Sequence, residues 1–184
     1  MRLRRRTWLS IIAAVLVAGI AFGAYWFQPW KLWTNNTVHD TLPAVALETP
    51  GPTPPSGDNV SLTPMSASQP TVLSRGHFIS HEHGTSGTVS ILQYPDGRRQ
   101  LAIANLRTSE GPDVHVWLTD QQVTKGGWHV FDDGRHVNLG GLRGNRGNQL
   151  YTIPANVDLN GLISVSIWCA RFDVSFGAAQ LVPV

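Results

Sequence analysis

Cys169 is the only cysteine in this chain of 184 residues. No intramolecular disulfide can form, which excludes a small scaffold held together by disulfides. Charge is also sparse: Asp, Glu, Lys and Arg make up 14% of the chain and sum to only +2. The first 33 residues contain no acid, and residues 34–74 contain no Lys or Arg. Residues 75–184 carry nine charges of each sign and no basic stripe that could follow a phosphate backbone, which argues against a nucleic-acid partner. Catalytic signatures are missing too. Without C-x-x-C-H there is no covalent c-type haem attachment. Without G-x-S-x-G or a Cys-His-Asn layout there is little to support a hydrolase. The run Gly140-Gly141-Leu142-Arg143-Gly144-Asn145-Arg146-Gly147 lacks the Lys-Ser/Thr ending of a phosphate loop and precedes no helical pattern, so it reads as a structural loop.

The positive charge that is present is confined to one end. Arg2, Arg4, Arg5 and Arg6 precede Thr7–Phe27, which has no charged side chain and as a helix measures roughly 31 Å, enough to span a bilayer core. The sequence therefore predicts a basic cytoplasmic tail (1–6), a single-pass signal anchor (7–27) and export of everything that follows, with the domain extracytoplasmic at the cell membrane. Trp26, Trp30 and Trp33 with Lys31 suit the outer interface. The competing reading is a cleaved leader, with Ala21-Phe22-Gly23 placed for cleavage before Ala24; the length of the apolar run and its bulky aromatic end favour an anchor. Residues 28–74 form the predicted linker. Its 34–74 portion has 19 Pro, Ser or Thr among 41 residues and no aromatic, so it is expected to be disordered, with a span of about 35 Å as a flexible coil.

Residues 75–184 hold 14 of the 18 glycines and no convincing amphipathic helix, which leaves an all-β domain. Thr88–Tyr94 and Gln100–Leu106 flank the hairpin turn Pro95-Asp96-Gly97. Val114, Val116 and Leu118 alternate with His115, Trp117 and Thr119, so the two faces of that strand differ. Gln149–Ile153, Leu162–Cys169 and Val174–Val182 complete a set of about six to nine strands, in a β-sandwich or a barrel-like closure.

Two places could carry chemistry. His77, His81 and His83 share parity, and on an extended strand they would face one side as a chelate for copper or zinc, or supply an axial ligand for a haem. Cys169 ends a strand beside Trp168 and two residues before Arg171. Extended geometry puts Cys169 and Arg171 on one side and Trp168 on the other. A nearby cation lowers a thiol pKa and apolar burial raises it, and the residues leave open which prevails. They also leave open an inert core cysteine, or a non-catalytic module on a stalk that binds cell wall or protein through some of the seven Trp.

Five blocks carry a family resemblance: Arg75-Gly76-His77-Phe78, His83-Gly84-Thr85-Ser86-Gly87-Thr88-Val89, Gly111-Pro112-Asp113-Val114-His115-Val116-Trp117-Leu118, Leu139–Tyr151, and Ile167-Trp168-Cys169-Ala170-Arg171-Phe172-Asp173-Val174-Ser175-Phe176-Gly177-Ala178-Ala179. In this order and spacing, over essentially all of 75–184, the chain resembles the DM-thirteen domain, the electron transfer DM-thirteen family. Trp117 stands where that family often has Tyr. The resemblance implies an extracytoplasmic, frequently membrane-tethered all-β domain. It also implies that Cys169 acts in redox, as a bare thiol or as ligand of a prosthetic group such as haem, with Trp168 beside it. A redox protein partner follows from the same resemblance, and a cell-surface protein partner from the binding-module reading.

Overall fold

The computed structural model describes residues 2–47 and 69–184. Helix α1 (Arg2–Phe27) is followed by a 3-10 turn (Pro29–Leu32), strand β1 (Thr37–His39) and a short helix α2 (Ala44–Leu47). The β domain then runs β2 (Thr71–Ser80), β3 (Ser86–Gln93), β4 (Arg99–Arg107), β5 (Val114–Thr119), β6 (His136–Gly141), β7 (Arg146–Ile153), β8 (Ser164–Cys169), β9 (Val174–Gln180) and β10 (Val182–Pro183). Within α1 and the turn after it, Trp8–Lys31 is long and apolar enough to cross a membrane, and none of its apolar stretch is buried against the rest of the protein.

The ten strands form one sheet in the order β1-β7-β4-β3-β2-β9-β8-β5-β6, with β10 added on β2. The sheet curls into a half-barrel, so the all-β class expected from the sequence holds. Strand β2 turns the corner. Its Thr71–His77 portion pairs with β3, and its Phe78–Ser80 portion pairs with β9. Strand β10 continues the β9 register on β2, since Phe78↔Ala179 and Arg75↔Val182 have the same sum of positions. The tight hairpin between β3 and β4 is made as its residues demand: Gly97 takes φ 87°, and Asp96 Oδ1 accepts the Arg98 N–H at 3.0 Å.

Alternation decides what the curl encloses. Val114, Val116 and Leu118 of β5 and Val165, Ile167 and Cys169 of β8 meet Val89, Ile91, Leu101, Ile103 and Tyr151 of the other half in one core. The opposite face of β5 and β8 turns Trp117 and Trp168 into a second cluster with Phe131 and Ala178. Burial of one such aliphatic side chain is worth about 1.5–3 kcal/mol, so this strand-by-strand sorting holds the curl closed.

The linker expected over 28–74 is corrected in part. Thr37–His39 adds β1 in parallel to β7, Asn36 N–H donates to Asn145 Oδ1 at 2.8 Å, and Asp40 pairs with Arg143 and accepts the Leu150 N–H. Leu42 and Ala46 bury against Leu92, Ala102 and Ala104. Polar composition hid this because the residues are held mainly by backbone pairing and by two small apolar side chains. The Pro/Ser/Thr run at 48–68 lies outside the described residues.

Candidate functional site

Cys169 closes β8, paired across the sheet with Val114 on one side and Val174 on the other. Because residues of one parity on β8 face inward, its sulfur is wholly buried in the main core. Burial pushes the thiol up from its ordinary pKa. The nearby backbone amides of Arg171, Phe172 and Asp113 oppose that rise, and the carboxylate of Asp113 adds to it.

The turn Ala170–Asp173 roofs the sulfur. It is pinned by Ala170 N–H to Asp113 O at 2.9 Å and by Phe172 N–H to Cys169 O at 3.2 Å. Asp173 sits at φ 50°, which lets its carbonyl accept from His129 Nδ1 at 2.6 Å. Arg171 is not the thiol's cation. Its Nη1 donates to Trp26 O at 2.8 Å and its guanidinium lies 5.2 Å from the Trp26 ring, while Phe172 stacks on Phe27 at 5.8 Å and 13°. The turn over Cys169 is thus the part of the domain that grips the C-terminal end of α1.

Trp168 faces away from Cys169. It stacks on Trp117 at 5.1 Å and meets the Phe131 ring edge-on at 6.4 Å, and His136 covers Trp117 at 4.2 Å and 5°. A flat group bound against Trp168 would lie on the other face of the strand from the sulfur. The haem that the resemblance implies does not fit the sulfur either. The neighbouring cavity is walled by Phe172, Val174 and Phe176, not by Cys169, and the thiol has no exposed surface.

The three histidines are not brought together as strand parity predicted, because β2 ends at Ser80 and the chain bends at 81–83. His77 is exposed on the strand. His81 is buried, stacked on Phe131 at 5.7 Å, and both its ring nitrogens are engaged: Nε2 donates to Thr124 O at 3.1 Å, and Nδ1 lies 3.0 Å from Ser175 Oγ. Since Nε2 carries the proton, Nδ1 accepts from Ser175, which accepts in turn from Ser166 at 3.0 Å. Burial lowers the pKa of His81. His83 lies half-buried over Phe176, with ring centroids 4.0 Å apart, and burial lowers its pKa as well. Among the described residues no three His, Cys, Asp or Glu side chains gather into a group that could hold a metal.

A cavity of about 440 Å³ opens between this end of the domain and the residues that follow α1. Phe27, Pro29, Pro112, Phe172, Val174 and Phe176 give it a mainly apolar wall. Its polar groups are Lys31, whose Nζ donates to Gly111 O at 3.0 Å, Glu110, which accepts from Thr34 Oγ1 at 2.7 Å, and Gln28, Glu82, His83 and His129. Sequence reasoning missed this site because one wall of it, Phe27, Gln28, Pro29 and Lys31, comes from residues assigned to the anchor and the linker. The only local signal was Phe172 next to Arg171 in the cysteine block.

The family model described as electron transfer DM13 matches residues 77–181. No curated protein matches the chain. No solved structure matches it.

Proposed function

Because the chain belongs to the electron transfer DM13 family, we propose that it is a membrane-anchored, extracytoplasmic electron-transfer domain in which Cys169 is the redox group, used as a bare thiol. The observation that carries this reading is the place of the lone cysteine: Cys169 ends β8 within the stretch that the family model matches, next to the short Ala170–Asp173 turn that holds the end of α1. The Arg cluster at the N-terminal end of α1 supports an N-terminus in the cytoplasm and the domain outside. The length of the apolar stretch and its bulky aromatic end favour α1 as a retained anchor.

Deprotonation and access both require the Ala170–Asp173 turn to lift. Cys169 therefore reacts only with a partner that engages the turn, and a redox protein at the same membrane surface fits that demand. The test is protein-film voltammetry of the full chain in a lipid film, wild type against Cys169→Ser. A wave present in the wild type and absent from the variant supports the reading; identical traces overturn it.

A further inference from the structure

We propose that the cavity between the end of α1 and the β8–β9 turn binds the ring of a membrane-soluble quinone or its quinol. The choice of ligand rests on the anchored electron-transfer reading; the site itself rests on geometry. At about 440 Å³ the cavity lies within the range of small-molecule sites, roughly 300–1,000 Å³. Phe27 ends the apolar helix, so with α1 in a bilayer the mouth lies at the hydrocarbon boundary, and a ligand dissolved in the membrane reaches it without crossing water. Flat walls from Phe172, Phe176 and Pro112 suit a ring.

The polar groups select a neutral ring with oxygens over a charged lipid. A fatty-acid carboxylate would meet Glu82 and Glu110, and a cationic headgroup would meet Lys31. The Lys31 ammonium spends one hydrogen on Gly111 O and keeps two for a quinone carbonyl. His129 gives its Nδ1–H to Asp173 O, which leaves Nε2 as the ring atom that faces a quinol hydroxyl. His83 over Phe176 adds a second imidazole at the wall. The ring would rest on Phe172, in the turn after Cys169, and on Val174, the cross-strand partner of that cysteine.

The test uses the full chain in nanodiscs of quinone-free lipid and a decyl-tailed benzoquinone and its quinol, with binding read by quenching of tryptophan fluorescence and checked by equilibrium partitioning. Wild type should saturate. Pro112→Trp, which fills the cavity from its rim, should weaken binding by about tenfold or more. His129→Ala, at an exposed position where folding is not at stake, should weaken the quinol by about two- to tenfold and the quinone less. Cys169→Ser should bind as wild type does, so a failure of the thiol reading in voltammetry leaves this result standing, and the converse holds. Non-saturable quenching overturns the proposal, as do equal affinities in wild type and both cavity variants or equal displacement by decanol, which would make the cavity a groove for lipid tails.

Discussion

If the turn over Cys169 must lift for the thiol to react, its grip on the end of α1 sets the reaction rate. Arg171→Ala with Phe172→Ala removes a ring stack at 5.8 Å and a cation over an indole at 5.2 Å. Such a stack is worth about 0.5–1.5 kcal/mol, and an exposed cation–π contact about 0.5–1 kcal/mol. The double variant should therefore favour the open turn by about 1–2.5 kcal/mol. At about 1.4 kcal/mol per factor of ten, that is a roughly 5- to 60-fold faster modification of Cys169. The assay is iodoacetamide labelling of the full chain in nanodiscs at mildly alkaline pH, followed by mass, beside urea unfolding of the same samples. Equal labelling rates in wild type and variant, both matching global unfolding, would refute the reasoning and leave Cys169 an inert core residue.

Other outcomes follow from the same contacts. His81 and His83 are held neutral by burial, so their folded pKa values lie below the ordinary 6.5. The unfolded chain then binds more protons as pH falls through 6.5, so stability is intact above that pH and lost below it. The urea midpoint should drop between about pH 7 and 5, and His81→Gln should flatten the drop. Gly147 takes φ 93° beside Val38 of β1, and a Cβ there would collide with the Val38 carbonyl. Gly147→Ala should cost about 1–2 kcal/mol from left-handed strain alone and speed hydrogen exchange at β1. Leu42→Ala empties a site against Leu92 and Ala102 and should lower stability by about 2–3 kcal/mol in urea titrations.

Strand alternation was legible because it is local. Val114, Val116 and Leu118 point into the core as their spacing predicts, and Cys169 and Trp168 fall on opposite faces of β8. The turn at Asp96-Gly97 was legible for the same reason. The histidine grouping failed because parity holds only while a strand continues, and β2 stops at Ser80. Extended geometry puts Arg171 on the thiol's side of the strand, but β8 ends at Cys169 and the long side chain reaches a carbonyl of α1, 145 positions away in sequence. β1 escaped notice because three residues in parallel pairing with β7 bury almost no side chain, and backbone hydrogen bonds leave no mark on composition.

The pairing of β1 with β7 has a geometric effect on anything that shares the bilayer. Only nine residues separate Phe27 from Thr37, and most of them are in a 3-10 turn or tied to the domain. With α1 in a membrane, the domain would not sweep a hemisphere on a leash. It would ride with one fixed end turned toward the lipid, so encounters with a membrane-resident molecule become a search in the plane with the orientation already set. The same clamp shields that end from soluble reagents, and so favours reactants that travel within the bilayer over those in the surrounding fluid.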